Sequence, residues 1–511
     1  MLPLHHRAMV PLGQIGCSLQ VNFMKFSTIA KFLTIAQFTL AGIFTLCLGI
    51  AMVQPEERYM GVGWLLCAFA TVIFGAFFYF CGRESSQRIY QREVFVTISS
   101  SWLLLILIGT LPYLLFLPHL SFADAFFEST SGFTSTGVTL LSDLDHLPRS
   151  LLFFRAISQW IGGLGIVIFF VLFLPSAGPV PKLLFSNENM QKNENLFFNG
   201  LKSAMGHMLA IYGLLTLCCS FAFYWAGMDL FDAICHALTT ISTGGFSTHS
   251  DGIAWFHCSS IEWVTIIFML LGAMNFLCIL AVLRLDWEKI KKNSECCGYF
   301  AFISLFAIAI FAALHTHGHA EGYCDCLRMG IFHAVSFLST TGFVAFDSSL
   351  WIPNVTVLLI IAVFIGGCSA STAGGVKIIR ILVAMKLIWA NGERSFRPRI
   401  IRPIRIDGKI CTEKNQEQMI HYLILFTFVC IFSLPLYALM EPSLSFEGTL
   451  SSYIACLSNG GIASGEFLEK GHFNHLHSYA KWFLSLVMLL GRLEMQALFA
   501  PLIPKFWRHF S

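Results

Sequence analysis

Charge is what this chain has least of. Only 12% of its 511 residues are Asp, Glu, Lys or Arg, about half the ~25% of an ordinary soluble domain. With 56% hydrophobic residues and a mean hydropathy of +0.71, that deficit excludes a soluble protein. Catalytic signatures are missing as well. There is no HExxH, no Walker A and no nucleophile triad, and the apolar runs hold no paired carboxylates, which argues against a membrane enzyme. The seventeen cysteines are scattered, some as neighbours such as Cys218-Cys219, and outline no disulfide framework. Residues 1–26 lack the long apolar core and cleavage site of a secretory signal. They read as a leader, and Met24-Lys25 is an equally good start.

Long apolar runs are what is there. They fall at roughly 27–53, 59–81, 94–117, 149–175, 203–226, 260–283, 298–314, 351–389, 418–439 and 477–502. Runs of ~20 residues are membrane-spanning helices, whereas barrel strands need only ~10. The expected fold class is therefore an all-α membrane protein with ten transmembrane helices. Between the third and fourth, fifth and sixth, seventh and eighth, and ninth and tenth runs lies a semi-polar segment. Each ends in a hydroxyl-rich glycine turn: Thr134-Ser135-Thr136-Gly137-Val138, Ile241-Ser242-Thr243-Gly244-Gly245, Ser339-Thr340-Thr341-Gly342-Phe343 and Leu457-Ser458-Asn459-Gly460-Gly461. Irregular backbone at membrane depth is tolerated only against protein or water, so such turns line something wet.

The turns repeat. Gly137, Gly244, Gly342 and Gly461 are 107, 98 and 119 residues apart (137 to 244, 244 to 342, 342 to 461), and Phe122-Ala123-Asp124-Ala125 resembles Leu230-Phe231-Asp232-Ala233. Two spans per unit give successive copies one orientation, which suits four pseudo-symmetric repeats around an axis along the membrane normal. The expected division is a leader (1–26), an accessory two-helix hairpin (27–93), and four span–pore loop–span repeats (94–202, 203–296, 297–415 and 416–511).

Lysine and arginine set the orientation. One series of loops carries Arg83, Arg88 and Arg92, then Lys182, Lys192 and Lys202, then Arg284, Lys289, Lys291 and Lys292, then a basic stretch from Arg394 to Lys414. The series holding the turns has little beyond Arg58, Arg149, Arg328, Lys470 and Lys481. Positive charge marks the cytoplasmic side, so both termini are expected inside and the turns are reached from outside. The outer segments carry Glu128, Asp145, Asp232, Asp251 and Glu466 among other acids, and an acidic mouth concentrates cations.

A dehydrated cation needs a ring of oxygens in place of its hydration shell. Aiming successive carbonyls at one axis takes a residue that tolerates positive φ, namely glycine. Gly137, Gly244, Gly342 and Gly461 are expected there, preceded by Thr136, Thr243, Thr341 and, in the fourth turn, Gly460. The short helices before the turns would aim their partly negative C-terminal ends at the cation.

These turns, with Gln159-Trp160-Ile161-Gly162-Gly163-Leu164-Gly165, Gly366-Gly367-Cys368-Ser369-Ala370-Ser371-Thr372-Ala373-Gly374-Gly375-Val376-Lys377 and Gly491-Arg492-Leu493-Glu494, resemble the TrkH-type subunits of the Trk/Ktr/HKT cation transporter superfamily from about residue 27 onward. The resemblance implies potassium conduction through four filter loops, with potassium as the transported ligand and no covalently bound cofactor. It implies a homodimer with one pore per subunit, in a bacterial inner membrane. It also implies a cytosolic, nucleotide-binding RCK-type (TrkA-like) partner, for which Arg394–Lys414 is a candidate dock. In that family a serine at the first filter glycine goes with sodium preference, so Gly137 favours potassium. The fourth turn departs from the family's usual Asn-Asn-x-Gly-Pro-Gly.

The eighth run is interrupted by small residues from Gly366 to Gly375, which hold a helix poorly. This stretch, with Gly366, Gly367, Ser369, Ser371, Gly374, Gly375 and Lys377, is either close helix packing or, as the resemblance implies, a flexible gate beneath the filter. Lys377 and Arg380 would anchor it or merely snorkel. Arg492, midway along the last run, is a functional candidate because charge there is costly. It acts either as an electrostatic barrier to cations or in an ion pair with nearby Glu494. Arg155 reads as interfacial. His315-Thr316-His317-Gly318-His319 with Cys324-Asp325-Cys326 could bind metal but reads as a solvated outer loop. A sodium-coupled or sodium-selective carrier on the same fold is the alternative, and no nucleic-acid partner is expected.

Overall fold

The structure, a computed structural model, describes residues 26–83, 91–173, 194–316, 322–345, 353–399, 403–461, 463–467 and 472–507. The leader, most of the loop carrying Lys182 and Lys192, and His317 and His319 lie outside them. Six helices among the described residues are long and apolar enough to cross a membrane: Phe26–Val53, Pro55–Gly82, Glu93–Phe116, Met205–Trp225, Ser294–Thr316 and Glu413–Met440.

In chain order, α1 (Phe26–Val53) and α2 (Gly61–Gly82) form an antiparallel hairpin. Then come α3 (Gln91–Gly109), α4 (Leu111–Phe116), the short α5 (Phe122–Phe133), α6 (Arg149–Phe173) and α7 (Glu194–Trp225). The short α8 (Leu230–Ile241), α9 (Ser259–Ala273), α10 (Phe276–Leu283), α11 (Trp287–Lys292) and α12 (Ser294–Thr316) follow. The remainder runs α13 (Tyr323–Leu338), α14 (Pro353–Ile365), α15 (Ile378–Phe396), α16 (Glu413–Met440), the short α17 (Phe446–Leu457) and α18 (Ser478–Arg492). A two-stranded ribbon pairs Arg405–Ile406 with Lys409–Ile410 across Asp407 and Gly408, both at positive φ.

Three apolar runs are less continuous than hydropathy suggests. The sixth is broken at Met274-Asn275, where α9 and α10 meet at 108°. The side chain of Asn275 starts the second half by accepting from Leu277 N at 3.0 Å. The eighth opens between Ile365 and Ile378 into a buried, non-helical loop, so its small residues do not serve helix–helix packing. The tenth stops at Arg492 because Glu494 and Met495 take left-handed φ values of 53° and 55°. Hydropathy reports burial in an apolar medium; it is blind to where the backbone turns.

The N-terminal hairpin is tied to α6 by chemistry that sequence spacing hides. Glu57 is buried, and its carboxylate accepts from Arg149 N (2.5 Å) and Ser150 N (3.0 Å), capping α6 from another element. Trp64 donates to Ser150 Oγ at 3.2 Å and packs on Phe44, Phe116 and Phe154. Replacing a helix-capping acceptor costs about 1–2 kcal/mol. Glu57→Ala is therefore expected to lower the thermal midpoint in detergent, and Glu57→Gln to lower it less, as followed by intrinsic fluorescence or size exclusion after heating.

Candidate functional site

Four short helices end at one place. α5 and α17 are started by Ser121 and Ser445, whose hydroxyls accept from Asp124 N and Gly448 N; in α5, Asp124 completes a capping box. At their other ends α5, α8, α13 and α17 stop identically. An amide three residues past the helix bonds back five residues: Thr136 N to Ser131 O (2.9 Å), Gly244 N to Thr239 O (2.8 Å), Thr341 N to Ser336 O (2.9 Å) and Gly460 N to Ala455 O (2.8 Å). One residue before each sits a positive φ, at Ser135, Thr243, Thr340 and Asn459; one residue after sits a positive-φ glycine, at Gly137, Gly245, Gly342 and Gly461.

This common geometry corrects the second turn by one residue. The wide-φ glycine there is Gly245 (φ 78°), not Gly244, and Gly244 matches Thr136, Thr341 and Gly460. Thr243 matches Ser135. The Thr-Gly pattern selects the first of two adjacent glycines, whereas the fold counts from the end of the helix. The ring is thus asymmetric at two positions, with glycine at 244 as well as 460.

The turns touch in cyclic order. A Cβ on Gly137 would lie 2.1 Å from Gly244 O, one on Gly245 1.9 Å from Thr341 O, one on Gly342 2.7 Å from Gly460 O, and one on Gly461 2.9 Å from Thr136 O. Each turn's wide glycine faces the carbonyl of the next turn, and the fourth closes on the first. Real Cβ contacts do not come this close, so only glycine fits at all four. The same four glycines line a vestibule of about 540 Å³, together with Thr139, Ser247, His249 and Phe473.

Side chains behind the turns hold the ring. Gln159 donates from Nε2 to Gly244 O (2.9 Å) and accepts from Phe246 N on Oε1 (3.1 Å). Asn459 Nδ2 reaches Thr136 Oγ1 (2.8 Å) and Met488 O (3.0 Å), joining the fourth turn to the first. Arg155 is buried rather than interfacial and pairs with buried Glu128 at 3.0 Å. Its guanidinium also donates to Ser247 O (3.2 Å) and Thr139 Oγ1 (3.0 Å) and stacks over Phe246. Glu128 in turn accepts from Thr139 Oγ1 and Leu140 N, so it belongs to the frame of the ring, not to an acidic mouth. Removing one partner of such a buried pair strands the other, at roughly 3–5 kcal/mol.

At the mouth, in the connection after the second turn, His249 lies between two carboxylates. Nδ1 is 2.7 Å from Asp145 and Nε2 is 3.2 Å from Asp232, with the ring stacked on Trp255. Burial pushes its pKa down, but hydrogen bonds and charge from Asp232 and Asp145 outweigh that and hold it above the ordinary histidine value. Across the site Lys481 pairs with Asp124 at 2.7 Å.

Directly beneath the ring lies the loop between α14 and α15. Thr372 Oγ1 donates to Ile241 O (2.9 Å) and Gly272 O (3.0 Å), Gly374 N to Thr340 Oγ1 (2.7 Å), and Gly375 N to Ser458 O (2.9 Å). Gly374 and Gly375 are thereby brought against the undersides of the turns, Gly366 packs on those two glycines and Gly367 on Ala273, Ser369 and Ser371 bond Glu295 and Cys368 O, and the Lys377 ammonium donates to Ala373 O. Arg492 completes the contact. Its guanidinium donates to Thr372 O (2.9 Å), Gly162 O (3.1 Å) and Ser135 Oγ (3.2 Å), linking the loop to the first turn. The Arg492–Glu494 pair is not formed. Glu494 bonds Arg380 at 2.8 Å, and Arg380 stacks on Tyr422 instead of snorkelling. The backbone reversal after Arg492 sends the two neighbours apart. His315 packs against Phe311 and Tyr323. Among the described residues no three His, Cys, Asp or Glu form a metal cluster.

The corrected register is testable. Gly245→Ala should abolish cation flux, because both φ and the facing Thr341 carbonyl forbid a methyl. Gly244→Ala displaces only the Gln159 side chain and should retain measurable flux in reconstituted vesicles. The reverse order would restore position 244 as the wide glycine.

Two stretches of the chain, 65–319 and 299–505, match the family model TrkH, described as cation transport protein. The chain is 32% identical over 455 residues to "Trk system potassium uptake protein TrkH" of Vibrio parahaemolyticus, covering 88% of this chain and 93% of that one. The Salmonella typhimurium protein of the same name is 30% identical, covering 95% of this chain and 100% of its own length. The fold is similar to the "Crystal Structure of the Potassium Transporter TrkH from Vibrio parahaemolyticus", with a TM-score of 0.83 and 30% identity over 94% of this chain and 99% of that chain. With its four converging turns and these relatives, the chain belongs to the TrkH family of cation transport proteins.

Proposed function

We propose that this chain takes up potassium ions through one gated pore in a bacterial inner membrane. The cyclic closure of the Thr136, Gly244, Thr341 and Gly460 carbonyls against the preceding turn's glycine is the observation that carries this reading. Four backbone oxygens gathered in one ring can replace the hydration shell of a cation without a counter-charge, and the converging helix ends add negative potential there. Potassium is cargo, with no resident cofactor, and the protein is a transporter rather than an enzyme. The names of its relatives support potassium as the ion.

In this reading ten spans cross the bilayer as a hairpin (27–93) and four parallel units (94–202, 203–296, 297–415 and 416–511). The Lys/Arg-poor mouth faces outward and both termini face the cytoplasm. The loop from Gly366 to Lys377 fills the pathway below the ring as a closed gate. Arg492 adds a positive barrier among neutral oxygens. The chain works as a homodimer, one pore per subunit, with a cytosolic nucleotide-binding RCK-type subunit docking on Arg394–Lys414.

Rubidium and sodium flux in proteoliposomes tests the reading. The parent passes rubidium in preference to sodium, and Gly137→Ser, whose Cβ would lie 2.1 Å from Gly244 O, cuts rubidium flux most strongly and with it that preference. A parent that prefers sodium would favour a sodium carrier instead. Shortening Gly366–Gly375 should raise flux; unchanged flux would remove the gate.

The mouth should respond to external pH. His249 has a raised pKa, so its proton is held at and below the ordinary histidine range and is lost as pH rises through the elevated value. The stabilising Asp145–His249–Asp232 attraction fades over the same window. Loss of that charge leaves the mouth one unit more negative, which concentrates cations. The KM for uptake is expected to fall as external pH rises through this step, and to lose that dependence in His249→Gln.

A further inference from the structure

The loop beneath the ring is held by more than the turns above it. Glu295, in the first turn of α12, is only 3% exposed, and its carboxylate accepts three bonds. Two come from Ser369 of the loop, from N at 2.5 Å and from Oγ at 2.8 Å. The third comes from Asn275 Nδ2 at 3.3 Å, at the 108° break between α9 and α10. The loop and the break are also stitched backbone to backbone: Cys368 N donates to Ala273 O (3.0 Å), and Phe276 N to Ala370 O (3.2 Å). Two irregular segments, one hundred residues apart in the chain, therefore share one carboxylate.

A buried carboxylate is tolerated when protein donors replace its water. Here two of the three donors belong to Ser369 of the non-helical loop, and the third to Asn275 at the break where α10 starts. Charged acceptors make the stronger hydrogen bonds, about twice a neutral one. Glu295 is thus a clamp on the loop, and it is reached from the opposite face. Asp407, at the tip of the ribbon 405–410, accepts from Ser294 N at 2.6 Å and donates its own N–H to Ser294 Oγ at 3.2 Å. The ribbon so grips the first residue of α12, next to the clamp.

We propose that Glu295 is the positioning residue that holds the 366–377 loop beneath the ring, and that the Asp407–Ser294 contact lets the 405–410 ribbon set the clamp. The inference rests on the reading of that loop as the obstruction in the pathway. A partner that pulls the ribbon would move the start of α12, draw Glu295 from Ser369 and free the loop and the broken helix together.

The test uses the full chain in proteoliposomes without any partner. Rubidium flux is read beside site-resolved alkylation by N-ethylmaleimide, resolved by peptide mass spectrometry. Cys368 in the loop and Cys456 in α17 are both buried free thiols, so the first reports release of the loop and the second reports general unfolding. Glu295→Ala is expected to raise flux roughly ten-fold, the scale of one lost charge-assisted hydrogen bond. It should expose Cys368, leave Cys456 protected, and keep the rubidium-to-sodium ratio of the parent. Glu295→Gln does the same to a smaller extent, because one amide oxygen still accepts from Ser369. Asp407→Ala shifts both readouts in the same direction.

Protected Cys368 and parental flux in Glu295→Ala, while a shortened loop still raises flux, would overturn the clamp and leave the gate standing. Exposed Cys368 with parental flux, in a protein whose shortened loop is also without effect, upholds the clamp and removes the obstruction instead. If Glu295→Ala exposes Cys456 too, Glu295→Gln and Asp407→Ala decide: parental labelling in both overturns the proposal.

Discussion

Four backbone oxygens with no room for a Cβ beside them are the constraint on which this molecule depends. Gly137, Gly245, Gly342 and Gly461 each face a carbonyl of the neighbouring turn at a distance no side chain permits, and the contacts run in a closed circle. A closed circle cannot relax at one member without opening at the next. Its geometry is therefore set by what stands behind it: the ends of four short helices, the amide of Gln159, and Asn459 bridging the last turn to the first. Gly162 and Gly491 serve the same end from further out, letting α6 and α18 approach Phe133 O and Leu457 O more closely than any larger residue allows.

The charges fall into place around that circle. Arg155 and Glu128 lock the mouth side of the first two turns, and as a buried pair they contribute position more than stability. Arg492 sits on the other side, held through its two terminal nitrogens by neutral oxygens of the first turn, of α6 and of the loop. The loop and this guanidinium thus lie together on one side of the ring. Glu295 supplies a carboxylate in direct contact with the loop, and it binds through Ser369.

Much of this was legible in the amino-acid sequence, and the failures have physical causes. The turns, the accessory hairpin and the interruption of the eighth run stand out because glycine and small hydroxyl residues contrast with leucine and phenylalanine around them. The register of the second turn does not, since Thr243-Gly244-Gly245 offers two glycines and only the helix end selects between them. Glu128 and Arg155 looked like a mouth acid and an interfacial cation. Their pairing depends on how α5 returns against α6, which periodicity cannot reveal. Arg492 and Glu494 suggested a pair by proximity, but two left-handed residues after the helix turn them apart. The break at Asn275 is silent in hydropathy because both halves are equally apolar. Glu57 and Glu295 were missed as single acids near helix ends, where solvation is the ordinary expectation.

The ring itself can be seen with a heavy potassium analogue. In crystals grown in rubidium or thallium, the anomalous signal should show an ion on the axis, within coordinating distance of Thr136 O, Gly244 O, Thr341 O and Gly460 O. The peak should weaken when sodium replaces the heavy ion. An axis without density between those four oxygens, in crystals that bind the ion elsewhere along the chain, would contradict the account.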